Sequence, residues 1–591
     1  AILAQARGPR GSPRPRAALR LPPEPGRPGA RAMEPFAFSL SGLEGETGPV
    51  DAARNLQLVS EEWDLALPSL QQFIQIPNLT PAVDPAWASN GLLRRAADHV
   101  AAWVGAQGVA GCTVEVLEDE GLSPFLVVEI EGTKGSPKAT ETFLMYGHLD
   151  KQPHGKGWAA EGSEPGGPLS GTLREGPHGQ QLFGRGAADD GYAVYGCVIA
   201  AKALQRQGVD HPRMVILAEC SEESGSPHLG HYVEKLSPRI GTPHTVYCLD
   251  SGCEDYTRLW MTTCLRGVVM GVLDVGVIEE GFHSGIGGGI IPDAFRIARQ
   301  LLARVEDPAT GCILLPELQT KIPLERQQMC KELAEQFGCP HKTKGYPWRP
   351  GAHPQDPDGA LEQYLDNLWR PCMCVTGFEG LPEVALAGNV LSSGVRMKLS
   401  FRIPPLVDNN KAAQALKEVF EKDPPCGAAV RYEVRQGADG WNAPEVKEDL
   451  EVAVATACES YFDGRHLGFT GIGGTIPLLE MLQGLFPAAN LLCTGVLGPD
   501  TNMHGPNEML PMEYTKKFTA CIAMIMGIID IKPSWPEDVP VPDQDHSRSP
   551  SPRGSRSPKR SPRLSPKRVH GAPRFCFTRP DIPVGMCSCC L

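Results

Sequence analysis

Phe143-Leu144-Met145-Tyr146-Gly147-His148-Leu149-Asp150 is a short apolar run that stops at polar residues able to bind metal. The same design recurs three times. Met214 to Ala218 is followed by Glu222 and Glu223, Val246 to Leu249 by Asp250, and Leu491 to Thr494 by a loop that reaches His504. Runs of this length read as strands buried on both faces, and helical patterns alternate with them between about residues 54 and 531. One such helix is expected from Ala193 to Gln207, just after Gly184-Arg185-Gly186-Ala187-Ala188-Asp189-Asp190. The fold class is therefore α/β. In open sheets of this class the site forms beyond the carboxyl ends of the strands. That is where the polar residues fall.

Taken singly, a His near an Asp or a Glu-Glu pair is most often a solvated face. Their joint placement, each where an apolar strand stops, points instead to a shared site. Imidazoles and carboxylates together are ligands for zinc or manganese. Charge points to a pair of ions. Asp189, Glu223 and Asp250 bring three negative charges, and a bridging hydroxide would complete the balance for two divalent cations. Without metal these carboxylates would repel one another and resist ionisation.

Composition excludes several classes. The chain has 591 residues, is 41% hydrophobic and carries a net charge of −13, which does not suit a general nucleic-acid binder. No apolar run is long enough to span a membrane; the stretch Ala520 to Ile531 reads as a buried helix. Many of the 19 cysteines lie inside apolar runs, as at Cys197, Cys248, Cys493 and Cys521, which suits reduced thiols in a cytoplasmic protein. Residues 1–53 are expected to be a disordered or non-native leader, since the segment up to residue 32 is rich in Pro, Gly and Arg and the first methionine is Met33. Residues 533–591 carry Ser-Pro/Arg repeats such as Ser557-Pro558-Lys559-Arg560 and cannot bury a core. Ser588 stands where a prenylation box would need cysteine.

The motifs as a set resemble the metallopeptidase family of cytosolic nonspecific dipeptidase, carnosine dipeptidase, carboxypeptidase G and the aminoacylases. They are Gly147-His148-Leu149-Asp150, Gly184 to Asp190, Glu222-Glu223-Ser224-Gly225-Ser226, Leu249-Asp250-Ser251-Gly252, His283-Ser284-Gly285 and Met503-His504-Gly505-Pro506-Asn507-Glu508. The Glu-Glu-Ser-Gly-Ser run and Gln152-Pro153 look most like the dipeptidase branch. The resemblance implies a metal-dependent exopeptidase-like catalytic domain (54–264 and 441–532), interrupted by an α+β dimerisation or lid domain (265–440). It implies two divalent ions, Zn2+ with Mn2+ as the alternative, held by His148 and Asp250, by Glu223 and His504, and by Asp189 bridging. Asp150 would orient His148, and Glu222 would be the general base acting on a bridging water. His283 would reach the partner subunit's site in a homodimer, Arg402 would take the substrate carboxylate, and Asn389 and Thr475 would contact substrate.

The chain departs from the family at three points. Gly191-Tyr192 stands where Lys often follows the Asp pair, Thr475 where many dipeptidases have Ser, and Asn389 where the animal dipeptidases have Thr. These bear on substrate more than on reaction. The expected function is hydrolysis of dipeptides or short peptides. The alternatives are hydrolysis of N-acyl amino acids, or an RNA-processing role for the basic tail, which would attract nucleic acid only weakly.

Overall fold

The computed structural model of the protein describes residues 50–159 and 166–530. Of the expected leader 1–53, residues up to 49 lie outside the described residues, as does the Ser-Pro/Arg tail, whereas its end from Ala52 belongs to helix Ala52–Ile74, capped by Asp51.

Four parallel strands form the centre of a nine-stranded sheet: Arg213–Glu219, Thr142–His148, Pro243–Cys248 and Asn490–Cys493, side by side in that order. They contain the four apolar runs, except that Leu249 and Thr494 lie one residue past their strands. Alternate residues of each strand feed two different cores. Phe143, Met145, Met214, Ile216 and Leu492 pack under helices Ala52–Ile74, Tyr192–Gln207 and Met512–Ile528. Leu144, Tyr146, Val215, Leu217 and Leu491 pack under Leu229–Ile240 and Pro477–Leu485. Both faces are covered, so every position of Thr142–His148 is buried and the strand reads as an unbroken apolar run. Each such Leu or Phe contributes about 1.5–3 kcal/mol of transfer free energy. Antiparallel strands flank the centre, Cys112–Leu117 and Phe125–Ile130 on one side, Trp260–Leu265 and Trp441–Asn442 on the other. The connections leave Thr142–His148 in opposite directions, first to Arg213–Glu219 and then past it to Pro243–Cys248. A crevice therefore opens at its carboxyl end.

The chain leaves this sheet at Leu265 and returns at Trp441, and these two residues are paired across neighbouring antiparallel strands. Between them a four-stranded antiparallel sheet forms in the order Cys372–Glu379, Gly394–Ile403, Gly267–Gly276, Ala429–Ala438. Burial alternates along Gly267–Gly276, and the covered face packs on helices Ala294–Leu302 and Asn409–Glu421. The architecture is thus an α/β domain interrupted by a smaller α+β domain. Helices Leu324–Phe337 and Ala360–Leu368 lie in the same stretch of sequence, but their Met329, Leu333, Tyr364 and Leu368 join the core of the large sheet. No helix among the described residues is long and apolar enough to cross a membrane.

The helix Ala52–Ile74 is fastened at both ends. Trp63 Nε1 donates to Thr519 Oγ1 at 3.0 Å, and Asn55 Nδ2 donates to Tyr461 Oη at 2.7 Å and to the Ala520 carbonyl at 3.0 Å. Its last turn holds no basic residue of its own. Lys151, fully buried so that its ammonium pKa is lowered to about 7, supplies the missing donor: Nζ donates to the carbonyls of Phe73, Ile74 and Ile76 at 2.9, 3.2 and 2.7 Å. A positive charge is favoured at this end of a helix dipole, and the contact draws the helix end onto the loop that follows His148. Lys151→Met keeps the stem and removes the ammonium. It should lower the unfolding free energy by about 1–3 kcal/mol, measured by denaturant titration; unchanged stability would refute this account of the helix end.

Candidate metal centre

The carboxyl ends of the central strands bring together residues from five separate stretches of sequence. His148 is the last residue of its strand and lies level with Glu219 on the next. Asp250 follows Cys248 by two residues. Asp189 sits in the turn Ala187–Gly191 that opens helix Tyr192–Gln207, which starts one residue earlier than the sequence pattern. Glu222 and Glu223 occupy a single helical turn after Arg213–Glu219, with Gly225 at φ 83° closing it. His504 lies on the loop before Met509–Pro511, at φ 60°.

Asp189 is the centre of this geometry. Its Oδ1 lies 3.0 Å from His148 Nε2, and its Oδ2 lies 3.0 Å from His504 Nε2. Asp250 Oδ2 is 3.8 Å from His148 Nε2, and Glu223 Oε2 is 3.2 Å from His504 Nε2. Two ligand sets follow, His148-Asp189-Asp250 and Asp189-Glu223-His504, each with its donor atoms within 4.8 Å of one another. Glu223 Oε1 is buried with no hydrogen-bond partner. An unpartnered carboxylate oxygen inside a His/Asp/Glu donor set fits a divalent cation.

The electrostatics agree. Burial pushes the Asp250 carboxyl up to about 7, against the pull of His148 and with repulsion from Asp189 and Glu223 adding to it. Burial, then Asp250, raise Glu222 well above the usual carboxylate range. Burial opposes charge on His504, but Asp189 and Glu223 outweigh it and lift the imidazole to about 10. Burial likewise opposes charge on His148, and Asp150 and Asp189 overcome it. In the absence of metal, protons do what cations would do.

Around the ligands stand residues that orient them. His148 Nδ1 lies 3.1 Å from the Asp150 carbonyl and 3.5 Å from its carboxylate. That carboxylate accepts instead from the backbone N–H of Glu222 and Glu223, both at 3.1 Å. Asp150 thereby joins the first arm of the site to the arm carrying Glu222. Three partners have no role in the sequence reading. Gln152 Nε2 donates to Glu223 Oε2 at 2.6 Å. Arg185 and Glu508, both buried, pair at 2.7 Å, and Glu508 also accepts from the N–H of Gly186, Ala188 and Asp189. The motifs or their neighbours contain these residues, but only three-dimensional pairing, across 71 positions for Gln152 and 323 for Arg185 and Glu508, reveals their work.

The four expected substrate residues fall into two pairs. Arg402 Nη1 donates to Thr475 Oγ1 at 3.1 Å, and the Thr475 hydroxyl donates to the Arg266 carbonyl at 2.5 Å. His283 and Asn389 meet on a short ladder in the inserted domain: Phe282–His283 pairs with Val390–Leu391, and Ser284 N–H donates to the Asn389 carbonyl at 2.9 Å. His283 and Asn389 are exposed and belong to neither ligand set.

Ligation requires both imidazoles neutral, whereas in metal-free protein both hold their protons above neutrality. Metal uptake at pH 7 should therefore release about two protons from the imidazoles, with a further contribution from Asp250, and tighten as pH rises toward 10. Calorimetry in buffers of different ionisation enthalpy measures this. Heats independent of buffer would show that the imidazoles are not displaced.

Comparison with known proteins accords with this geometry. Residues 144–530 match the profile of peptidase family M20/M25/M40. A cysteinylglycine-S-conjugate dipeptidase of Corynebacterium striatum is 27% identical over 64% of this chain and 79% of its own length. The human Beta-Ala-His dipeptidase is 26% identical over 68% of this chain and 77% of its own. Among solved structures, a dipeptidase of Saccharomyces cerevisiae superposes with a TM-score of 0.61, covering 81% of this chain and 98% of that one at 20% identity. Human carnosine dipeptidase 1 gives 0.60, with 82% and 100% covered, again at 20% identity. The family match covers more than half of the chain and includes every residue of both ligand sets, so the protein belongs to peptidase family M20/M25/M40.

Proposed function

We propose that this peptidase is a dizinc dipeptidase that works as a homodimer in the cytoplasm. The observation that carries the reading is Asp189, whose two oxygens face two different imidazoles at 3.0 Å each. His148 and Asp250 would hold one ion, Glu223 and His504 the other. Bound ions at these positions supply Lewis acidity toward the scissile carbonyl and lower the pKa of the attacking water. The protein supplies the rest. Glu222 takes a proton from water and returns it to the leaving amine. The Arg402 guanidinium, braced by Thr475, receives the substrate's terminal carboxylate through charge-assisted hydrogen bonds. Asn389, beside His283, would contact the substrate as well. The relatives named for Cys-Gly conjugates and for Beta-Ala-His favour dipeptides over N-acyl amino acids.

The dimer rests on His283 and its surroundings. The N–H of Gly285 donates to His283 Nδ1 at 3.1 Å, so the ring proton resides on Nε2, ready to donate to an oxyanion. Around it Phe282, Ile286, Ile290, Val384, Leu386 and Val390 are all exposed, an apolar area that a second copy would cover. Cytoplasmic residence is supported by the described cysteines, all of which are free thiols.

Elemental analysis with dipeptide assays tests the centre. Glu222→Gln should retain both ions while turnover falls by roughly 10²–10⁴-fold. Asp189→Ala should release at least one ion, and a metal content equal to wild type would reject Asp189 as the bridge.

Mixing tests the dimer. Glu222→Gln and His283→Ala should each be impaired alone. Subunit exchange should restore up to about a quarter of wild-type activity, because one site in four then combines an intact Glu222 with an intact His283 of the partner subunit. No recovery after verified exchange would confine His283 to its own chain.

A further inference from the structure

Glu219, the last residue of Arg213–Glu219, is 1% exposed and takes no part in either ligand set. A carboxylate at such a position is costly unless it is fully hydrogen-bonded. Three hydroxyls serve it: Tyr146 Oη donates to Oε1 at 2.6 Å, Ser226 Oγ to Oε1 at 2.8 Å, and Ser221 Oγ to Oε2 at 3.1 Å. Two of the three donors have a specific place in the sequence. Ser221 immediately precedes Glu222-Glu223, and Ser226 closes the same turn, where its N–H returns to the Ser221 carbonyl at 3.1 Å. One carboxylate thus grips the turn at both ends.

The remaining contacts hold the turn from other sides. Asp150 takes the N–H groups of Glu222 and Glu223. Ser224 Oγ accepts from the Ala82 N–H at 2.8 Å and lies 2.5 Å from Thr80 Oγ1. The Glu222 carboxylate itself makes no hydrogen bond among the described residues. Its aim is set by the backbone that carries it, and that backbone is anchored by side-chain oxygens of its neighbours. We infer that Glu219 is a positioning residue: through Ser221 and Ser226 it fixes the direction of the Glu222 carboxylate, on which proton transfer depends. The inference rests on Glu222 as the base in the reading above.

The test is a double-mutant cycle on the metal-loaded protein. Glu219→Met removes the acceptor at similar volume. It should lower kcat by about 10- to 100-fold, the scale of an ångström-sized misplacement, with KM and metal content unchanged. Glu219→Gln, which still accepts from Tyr146 and Ser226 while Ser221 can accept from its amide, should recover most of the loss. In a Glu222→Gln background, Glu219→Met should cost almost nothing further, since residues that act as one unit are not additive. A fold-loss of the same size in both backgrounds would mean that Glu219 only supports the fold, and would overturn the inference. So would loss of metal from Glu219→Met. Should that variant not fold, Ser221→Ala/Ser226→Ala removes the two tethers and leaves the carboxylate bonded to Tyr146. It is expected to show the same fall in kcat and the same non-additivity, and wild-type kcat there would refute the idea. Full turnover by metal-loaded Glu222→Gln would instead reject the base, and Glu219's role with it.

Discussion

The buried ion pair between Arg185 and Glu508 is the joint on which the site depends. One partner precedes Asp189 by four residues, and the other follows His504 by four. A charge pair with no access to water needs most of its remaining donors and acceptors satisfied, and in this pair Arg185 Nε is the atom left without a partner among the described residues. Here Arg185 Nη2 donates to the carbonyls of Pro153 and Gly505, and Glu508 accepts three backbone N–H groups besides the guanidinium. The pair therefore fixes three loops relative to one another: the one after His148, the one carrying Asp189 and the one carrying His504. Both ligand sets share Asp189, so the spacing of the two sets is fixed by the same contact.

A second theme is the excess of acid at the carboxyl ends of the strands. Asp150, Asp189, Asp190, Glu219, Glu222, Glu223, Asp250 and Glu508 crowd one end of the sheet. Outside the ligand sets, Asp150, Glu219 and Glu508 are hydrogen-bonded by amides, hydroxyls and a guanidinium, while the Glu222 carboxylate is left without such a partner among the described residues. Those within them are left facing imidazoles. The protein thus separates carboxylates that hold its own loops from carboxylates available to metal.

Much of this was legible in the sequence, for reasons that can be stated residue by residue. The four central strands are buried on both faces, so Phe143 to Tyr146 and its counterparts appear as unbroken apolar runs. The candidate ligands stood out because His148, Glu223 and Asp250 are polar residues placed where such runs end or shortly after. Arg185, Glu508, Glu219 and Lys151 were silent, because each acts through a partner remote in sequence or through backbone carbonyls that any sequence possesses. The same limit applies to helices Leu324–Phe337 and Ala360–Leu368. Their amphipathic patterns show that they pack, but not that they pack on the large sheet, and the long stretch between strands suggested a single inserted body.

The fastening of helix Ala52–Ile74 carries a consequence for how the protein is made. Trp63 meets Thr519 across 456 positions of sequence, and Asn55 meets Ala520 across 465. During synthesis the helix emerges well before Met512–Ile528; Tyr192–Gln207 can cover part of it first, but the side that meets Met512–Ile528 has no partner until that helix has left the ribosome. At roughly 5–20 residues per second that interval is tens of seconds. Throughout it the side of the helix bearing Asn55 and Trp63 lacks its Met512–Ile528 partner, which makes the nascent chain a client for holding chaperones until that helix arrives.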